Sequence, residues 1–537
     1  MVNIYEQAIK PTVDLEDGVT VYVPGYSTIG PEGPTLCSSV SEFEGLFGST
    51  PYLFEEDEID PVVSKGSPEK GYLYAKSLLS SGLKVLFHRV NSGAETANCK
   101  FSIRYGDGSS DLYNLEVRAI SFGIGYQGIK LAFVKMAKNL YNLVIWGKDG
   151  DKVSEELISL DPKNSRYLKL MNSPWVKFRE EGDKDIEDSK MLKISSLGYE
   201  ATIVNDSDSS IELGSGYTTN DLVGKTLTLG GLDESEAQFS LKGMMTKLKI
   251  SEGKNGLLYP LLDFEKYPSV AYLTSGGYYV DTDVASTLMK YAAKISAIAL
   301  IDMDENINDE SSWLSAKATL SSISGTTTEK GKSAHFCGCN SFNISPYRIV
   351  LGDSFNYLKC LGENMKRGVA PWLPVANDPN GVSPLGYDTT QKISTSLAET
   401  MAEGEVGVSS NPIIYSTSAG GYKIMGNRTL LSNDGVLSPN SFLNIAVIVN
   451  RVARSARQTA NKLKIVSTDP NGTFLKFKQS VSKTIEPMVV NQDGVLEYKI
   501  RHLPKTAPAT INIQIHLVVL EGIEKFNIYI PYELKLD

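Results

Sequence analysis

The sequence predicts a multidomain chain of the α+β/α/β class, in which an α/β body is interrupted by a β-rich insertion and followed by another α/β unit. Three observations predict it. At 537 residues the chain is longer than one hydrophobic core usually serves. Between Tyr267 and Ile301 an apolar strand, a glycine turn, an amphipathic helix and a second apolar strand follow one another, the order that builds a parallel sheet covered on both faces. Between Gly93 and Leu262 the texture changes to short alternating runs bounded by turns, which reads as all-β.

Composition narrows the function classes. An apolar fraction of 41% with 22% charged residues is that of a folded globular protein, not a fibre or a disordered chain. The 63 acidic against 53 basic residues leave a formal charge of −10, which argues against whole-surface affinity for nucleic acid or anionic membrane. Five thinly spread cysteines, Cys37, Cys99, Cys337, Cys339 and Cys360, do not make a disulfide framework and suit assembly in a reducing cytoplasm. The N-terminus lacks the pattern of a secretory signal, and no apolar run approaches the roughly 20 residues of a bilayer crossing.

In chain order, Val2–Tyr5 and Val19–Val23 are short apolar bursts in a stretch holding Pro11 and Gly18, and read either as strands in need of a partner or as a frayed terminus. The glycine-proline turn from Ile29 to Pro34 leads to a short helix that Ser41 can cap, with Phe43, Leu46 and Phe47 on one face and Gly48 ending it. Ser67 and Pro68 open a second helix with Tyr72, Ala75, Leu78 and Leu79 inward; Gly82 stops it, and Leu83–Val90 is a buried strand. The insertion then offers strands at Phe101–Ile103, Tyr113–Val117, Ile129–Phe133, Leu143–Trp146, Thr202–Val204 and Leu227–Leu229, with the acidic tract Glu180–Asp188 as a solvated loop. After it come a strand at Ser269–Thr274, a turn at Ser275–Gly277, a helix from Thr282 with Val284, Leu288 and Met289 inward, and a strand at Ile295–Ile301. A helix near Glu310–Ser322, a strand near Ala334–Cys339 and a helix near Asp353–Met365 continue the unit; Pro371 to Pro384 marks the passage into the last one. That unit reads as a glycine turn at Gly420–Gly426, a β-rich run from Phe442, a basic helix starting near Asn450, a proline-stopped strand and a second amphipathic helix. Ala509–Leu520 alternates Ile511, Ile513, Ile515 and Leu517 against polar residues, and Phe526–Leu536 is a further strand.

Several motifs carry possible chemistry. Gly123–Gly128 matches a dinucleotide fingerprint, but the residues after it alternate like a strand, where the fingerprint needs a helix N-terminus. Gly224-Lys225-Thr226 and Gly331-Lys332-Ser333 resemble the end of a phosphate loop, yet the glycine that should open the loop falls at Thr219 and Thr326. Asp302 and Asp304 stand at the carboxyl end of a parallel strand, where an α/β phosphohydrolase places a nucleophile and magnesium ligands; two solvated turn acids are the plainer reading. His335, Cys337 and Cys339 give at most three metal ligands, one short of a structural zinc site, and read as buried strand residues. No catalytic, cofactor or metal residue is assigned. Arg451, Arg454 and Arg457 recur every three residues, with Lys462 and Lys464 beyond, as a solvated helix face or a surface that steers an acidic partner.

Taken in order, this punctuation resembles the contractile tail sheath proteins of bacteriophages and related injection systems. The resemblance rests on Gly18-Val19, Gly30–Pro34, Val40–Gly48, Lys70–Val90, Gly123–Asn139 and Tyr272–Asp304, and most specifically on Ile424–Leu430, Asn450-Arg451 and Asp469–Asn471. Family members commonly carry tryptophan where Met425 and Phe474 stand, and glutamate at Asp469, so the chain looks like a divergent member.

The resemblance implies an extended N-terminal arm at 1–23, a sheath core at 24–94 with 266–384, an inserted β-rich outer domain at 95–265, and a C-terminal domain at 385–537 ending in an arm at 521–537. It implies a non-enzymatic subunit, without cofactor, of a virion tail assembled in the host cytoplasm. The partners implied are further copies in a helical homo-oligomer of stacked hexameric rings, an inner tail tube, and baseplate and terminator or neck proteins, with no direct nucleic acid and no membrane insertion. Contraction would drive the tube through a target envelope. A non-viral injection system or bacteriocin has the same mechanics. By resemblance the arms add strands to a neighbour's sheet, through Val2, Ile4, Tyr5, Val19, Val21 and Val23 at one end and Phe526, Ile528, Ile530, Leu534 and Leu536 at the other, and Arg451, Arg454 and Arg457 face the tube.

Overall fold

Strand β1 (Thr20–Gly25) is an interior strand of the largest sheet in a computed structural model of the chain. The structure describes residues 19–535 apart from 32, 49–61, 64–68, 91–95, 105, 107–110, 121–123, 148–149, 172, 174, 183, 192–198, 206, 231–239, 251–252, 268, 305–306, 338, 345–346, 377–378, 384–386, 390–392, 404–407, 418–420, 432–437, 464–468, 491–493, 505–509 and 522–523. After β1 come β2 (Pro34–Cys37), α1 (Val40–Phe47), β3 (Val62–Val63), α2 (Glu69–Ser80) and β4 (Lys84–Arg89). Ser39, not Ser41, caps α1, its side chain accepting from the Glu42 amide at 3.1 Å. The expected cap of α2 at Ser67 and Pro68 lies outside the described residues.

The next nine strands are β5 (Asn98–Arg104), β6 (Leu112–Ala119), β7 (Lys130–Ala137), β8 (Leu140–Trp146), β9 (Lys152–Ser159), β10 (Val176–Glu180), β11 (Thr202–Val204), β12 (Glu212–Leu213) and β13 (Leu227–Thr228). Among the described residues they pair only among themselves, as the sheets β10-β6-β5-β11 and β12-β7-β8-β9 with β13 beside β7. Phe101, Phe133 and Phe178 meet between these sheets in a cluster of their own.

The chain then re-enters the first sheet. It runs through α3 (Leu241–Lys249), β14 (Val270–Leu273), α4 (Thr282–Ile295), β15 (Ile298–Ile301), α5 (Glu310–Ser322), α6 (Thr327–Lys330) and β16 (Ser333–Cys337). Next are β17 (Cys339–Ile344), β18 (Tyr347–Gly352), α7 (Ser354–Lys366), β19 (Tyr387–Thr389), α8 (Thr395–Glu403), β20 (Asn411–Ser416) and β21 (Gly421–Ile424). The eight-stranded order is β2-β4-β1-β14-β15-β16-β20-β21, parallel from β4 through β20. Alternation along a central strand divides its side chains between two helix layers. Val21 and Val23 pack with α1, α2 and α7, whereas Tyr22 and Leu273 pack with α3, α4 and α5.

The last part holds two long helices, α9 (Leu443–Leu463) and α10 (Pro470–Val490), and three strands, β22 (Val495–Leu503), β23 (Thr510–Glu521) and β24 (Glu524–Lys535), in one antiparallel sheet. Phe477, Val481, Ile485 and Met488, spaced by four, four and three, line the inner face of α10 against Ile511, Ile513, Ile515 and Leu517 of β23. The apolar run from Leu443 to Val449, expected as β, is the first two turns of α9. It is apolar over most of its circumference because Leu443 and Ala446 face the large sheet, while Ile445 and Ile448 face the C-terminal cluster.

Candidate assembly surfaces

The arginine row of α9 is not a fully solvated stripe: Arg454 is buried, and Arg451 and Arg457 are partly buried. Arg454 is 7% exposed, and its guanidinium donates to the Ser296 carbonyl at the left-handed end of α4. Arg457 donates to the Ser296 hydroxyl at 3.2 Å and stacks 4.3 Å from the Phe264 ring centre. Arg451 lies over the Trp372 ring at 5.3 Å. Asn450, one residue earlier, donates to the Ala297 carbonyl at 3.0 Å. The helix therefore lies across the amino ends of β14 and β15, where the C-terminus of α4 presents carbonyls and partial negative charge. Three-residue spacing predicts one helical face, and in the fold that face turns toward Ser296, Phe264 and Trp372.

The proposed arm residues separate in the same way. Val19, Val21 and Val23 belong to the chain's own core: β1 pairs with β4 on one side and β14 on the other, and Val21 and Val23 are fully buried. A strand with both edges occupied has no backbone groups to offer a neighbour. Val2, Ile4, Tyr5 and Leu536 lie outside the described residues. Phe526, Ile528, Ile530 and Leu534 are on β24, which folds back on β23 in an unbroken register from Thr510↔Lys535 to Glu521↔Glu524. What remains open is the outer edge of the sheet. Among the described residues neither β22 nor β24 has a second strand neighbour. The β22 edge was not anticipated, although Val495 and Ile500 inward against exposed Glu497, Lys499 and Arg501 is a partial strand signature.

The chemistry-bearing motifs are absorbed by the fold. Asp302 is 1% exposed and accepts from the Ser354 amide at 3.0 Å and from its hydroxyl, at the N-terminus of α7. Burial pushes its carboxyl upward, opposed by the Ser354 hydrogen bonds and by His335 and Lys70. Asp304, two residues on, is exposed, whereas Asp302 is buried. His335 Nδ1 is 2.8 Å from Ser410 Oγ inside β16, Cys337 is buried beside it, and the Cys339 side chain lies outside the description. Among the described residues no group of three or more acids, histidines or cysteines is placed to hold a metal. Gly128 leads into strand β7, not a helix; Lys225 donates to the Glu212 carbonyl at 2.9 Å, and Lys332 enters β16. No helix among the described residues is long and apolar enough to cross a membrane.

No protein-family model matches the chain, and no curated protein matches it in sequence. Solved structures do match it. A sheath tail protein from Listeria innocua superposes with a TM-score of 0.55 at 10% identity, over 97% of this chain and 96% of that one. The fold is that of a tail sheath protein. A sheath tail protein from Desulfitobacterium hafniense also matches, with a TM-score of 0.48 at 10% identity over 99% and 100% of the two chains. A chain of an anti-feeding prophage baseplate matches over 56% of this chain and 82% of its own, with a TM-score of 0.35 and 14% identity. At these identities the likeness to the sheath fold is one of architecture.

Proposed function

We propose that the chain is the structural, non-enzymatic subunit of a contractile tail sheath, polymerising helically around an inner tail tube in a phage tail assembled in the host cytoplasm. The observation that carries the reading is the C-terminal sheet of this sheath-like fold, whose edge strands β22 and β24 have no second strand neighbour among the described residues. An open edge offers a row of amides and carbonyls, and each added main-chain bond nets roughly 0.5–1.5 kcal/mol, so one strand from a neighbour contributes several kcal/mol without a deep pocket. Head-to-tail contacts of this kind do not close on themselves and produce a helix. The N-terminal segment carrying Val2, Ile4 and Tyr5 is the strand we assign to a neighbour's open edge, with β24 on the receiving side. Contraction then follows as a rigid-body change from an extended lattice to one with more contact between subunits, with baseplate and terminator proteins at its two ends. The same parts serve a non-viral injection system. The phosphohydrolase reading loses support because Asp302 is occupied by α7.

Sedimentation of the full chain against a chain ending at Glu521 tests this. We expect the full chain to sediment as large polymers at high concentration and the truncated chain to remain monomeric. Equal polymerisation of both would remove the C-terminal sheet from the account.

A further inference from the structure

The unit formed by β5–β13 meets the large-sheet body at a turn. Residues 27–30 lie between β1 and β2, and among the described residues Ile29 is the only one from outside 97–229 in that unit's apolar cluster. From the body side the turn is held by Arg89, 4% exposed at the end of β4. Its Nε donates to the Ser27 carbonyl at 3.0 Å, and its terminal nitrogens donate to the Gly30 and Thr28 carbonyls at 3.2 and 3.3 Å. From the other side the Gly125 amide donates to the Thr28 carbonyl at 3.2 Å. The Tyr126 hydroxyl accepts from the Gly30 amide at 2.9 Å and donates to the Gly30 carbonyl at 3.3 Å.

The approach is close on both sides. A Cβ on Gly125 would fall 2.5 Å from Ile29 Cγ2, and one on Gly30, whose φ is +130°, would fall 2.3 Å from the Phe47 ring. The β5–β13 unit also has a closure of its own. Near its two ends Asn98 and Gly230 exchange both main-chain hydrogen bonds, each at 2.9 Å, and its two sheets enclose their own cluster. A unit with its own core keeps its fold when a neighbouring turn is unseated, and a joint of polar bonds around a single apolar side chain permits relative motion.

We propose that the 27–30 turn is a releasable latch between the two units. Arg89 shapes the turn, since its rigid guanidinium fork fixes three carbonyls and with them the course of the backbone that carries Ile29. Ile29, Gly125 and Tyr126 engage it. Release lets the β5–β13 unit pivot about the Asn98–Gly230 pair while both units stay folded, so the latch sets the angle at which that unit stands on the body.

Hydrogen exchange read by mass spectrometry, with small-angle scattering, tests this on the full-length chain at concentrations where it is monomeric, so neither readout depends on the sheath proposal. Tyr126→Phe removes both hydroxyl bonds and keeps the ring; Ile29→Ala withdraws the apolar contact; Arg89→Lys keeps the charge and loses the fork. In each, peptides holding Gly30 and Gly125 are expected to exchange at least about tenfold faster than in the parent, with β7 and β8 at parent rates and a broader scattering profile. Faster exchange that spreads through β7 and β8 would overturn the inference, because the turn would then belong to that unit's fold. So would unchanged exchange at Gly30 and Gly125, or faster exchange there with the parent's scattering profile, which would leave the turn without hold on the unit's position.

Discussion

His88 sits at the end of β4, 8% exposed, with Nδ1 2.8 Å from the Tyr22 hydroxyl. Burial, with a smaller contribution from Lys247, lowers its pKa from 6.5 to about 4. Between those values only the unfolded chain binds the proton, so stability falls as pH drops from 6.5 toward 4 and is restored as it rises. The loss reaches on the order of 3 kcal/mol once both states titrate. Urea titrations at pH 7, 5.5 and 4.5 should show this slope in the parent and a smaller one in His88→Gln. Gly276 is a second sensitive point. Its φ is +76°, and a Cβ there falls 2.1 Å from the Pro24 carbonyl oxygen. Gly276→Ala is expected to cost about 3 kcal/mol or more, read from a denaturation midpoint. The turn at Ser275–Gly277 was legible from its glycines. His88 was not, because a histidine inside an apolar strand gives no sign of its partner 66 residues away.

At the scale of elements, α9 shows where the sequence informs and where it misleads. Its arginine spacing announces one helical face, but spacing has no sign: only the position of Ser296 and Phe264, more than 150 residues earlier in the chain, says that the face is inward. Its first turns read as a strand because a helix buried between two clusters loses the polar half of its pattern. By contrast α5 was legible at Glu310–Ser322, since Asp309 caps it through the Ser312 amide at 2.8 Å. Arg454→Glu should therefore lower monomer stability by about 3–5 kcal/mol, because it buries a carboxylate against the carbonyl end of α4. Circular-dichroism melts of the monomer would register this without any tube present. In α10, Phe477→Ala should cost about 3–5 kcal/mol through the cavity left against β23.

For the whole molecule, the described strands between Asn98 and Thr228 pair apart from the large sheet, and among the described residues the edge strands of the C-terminal sheet have no second strand neighbour. Alternation and turn spacing made the β-rich stretch readable. They could not distinguish β1, a strand enclosed by its own sheet, from a strand donated to another subunit, since both are short, apolar and near a terminus; pairing is decided by residues 64 to 251 positions away. The role proposed for the molecule is mechanical, and its most direct test is electron microscopy of the purified full-length chain across a concentration series. Long hollow tubes with a helical surface lattice are the predicted result. A monodisperse monomer at every concentration, with and without a tail tube protein as template, would contradict the account.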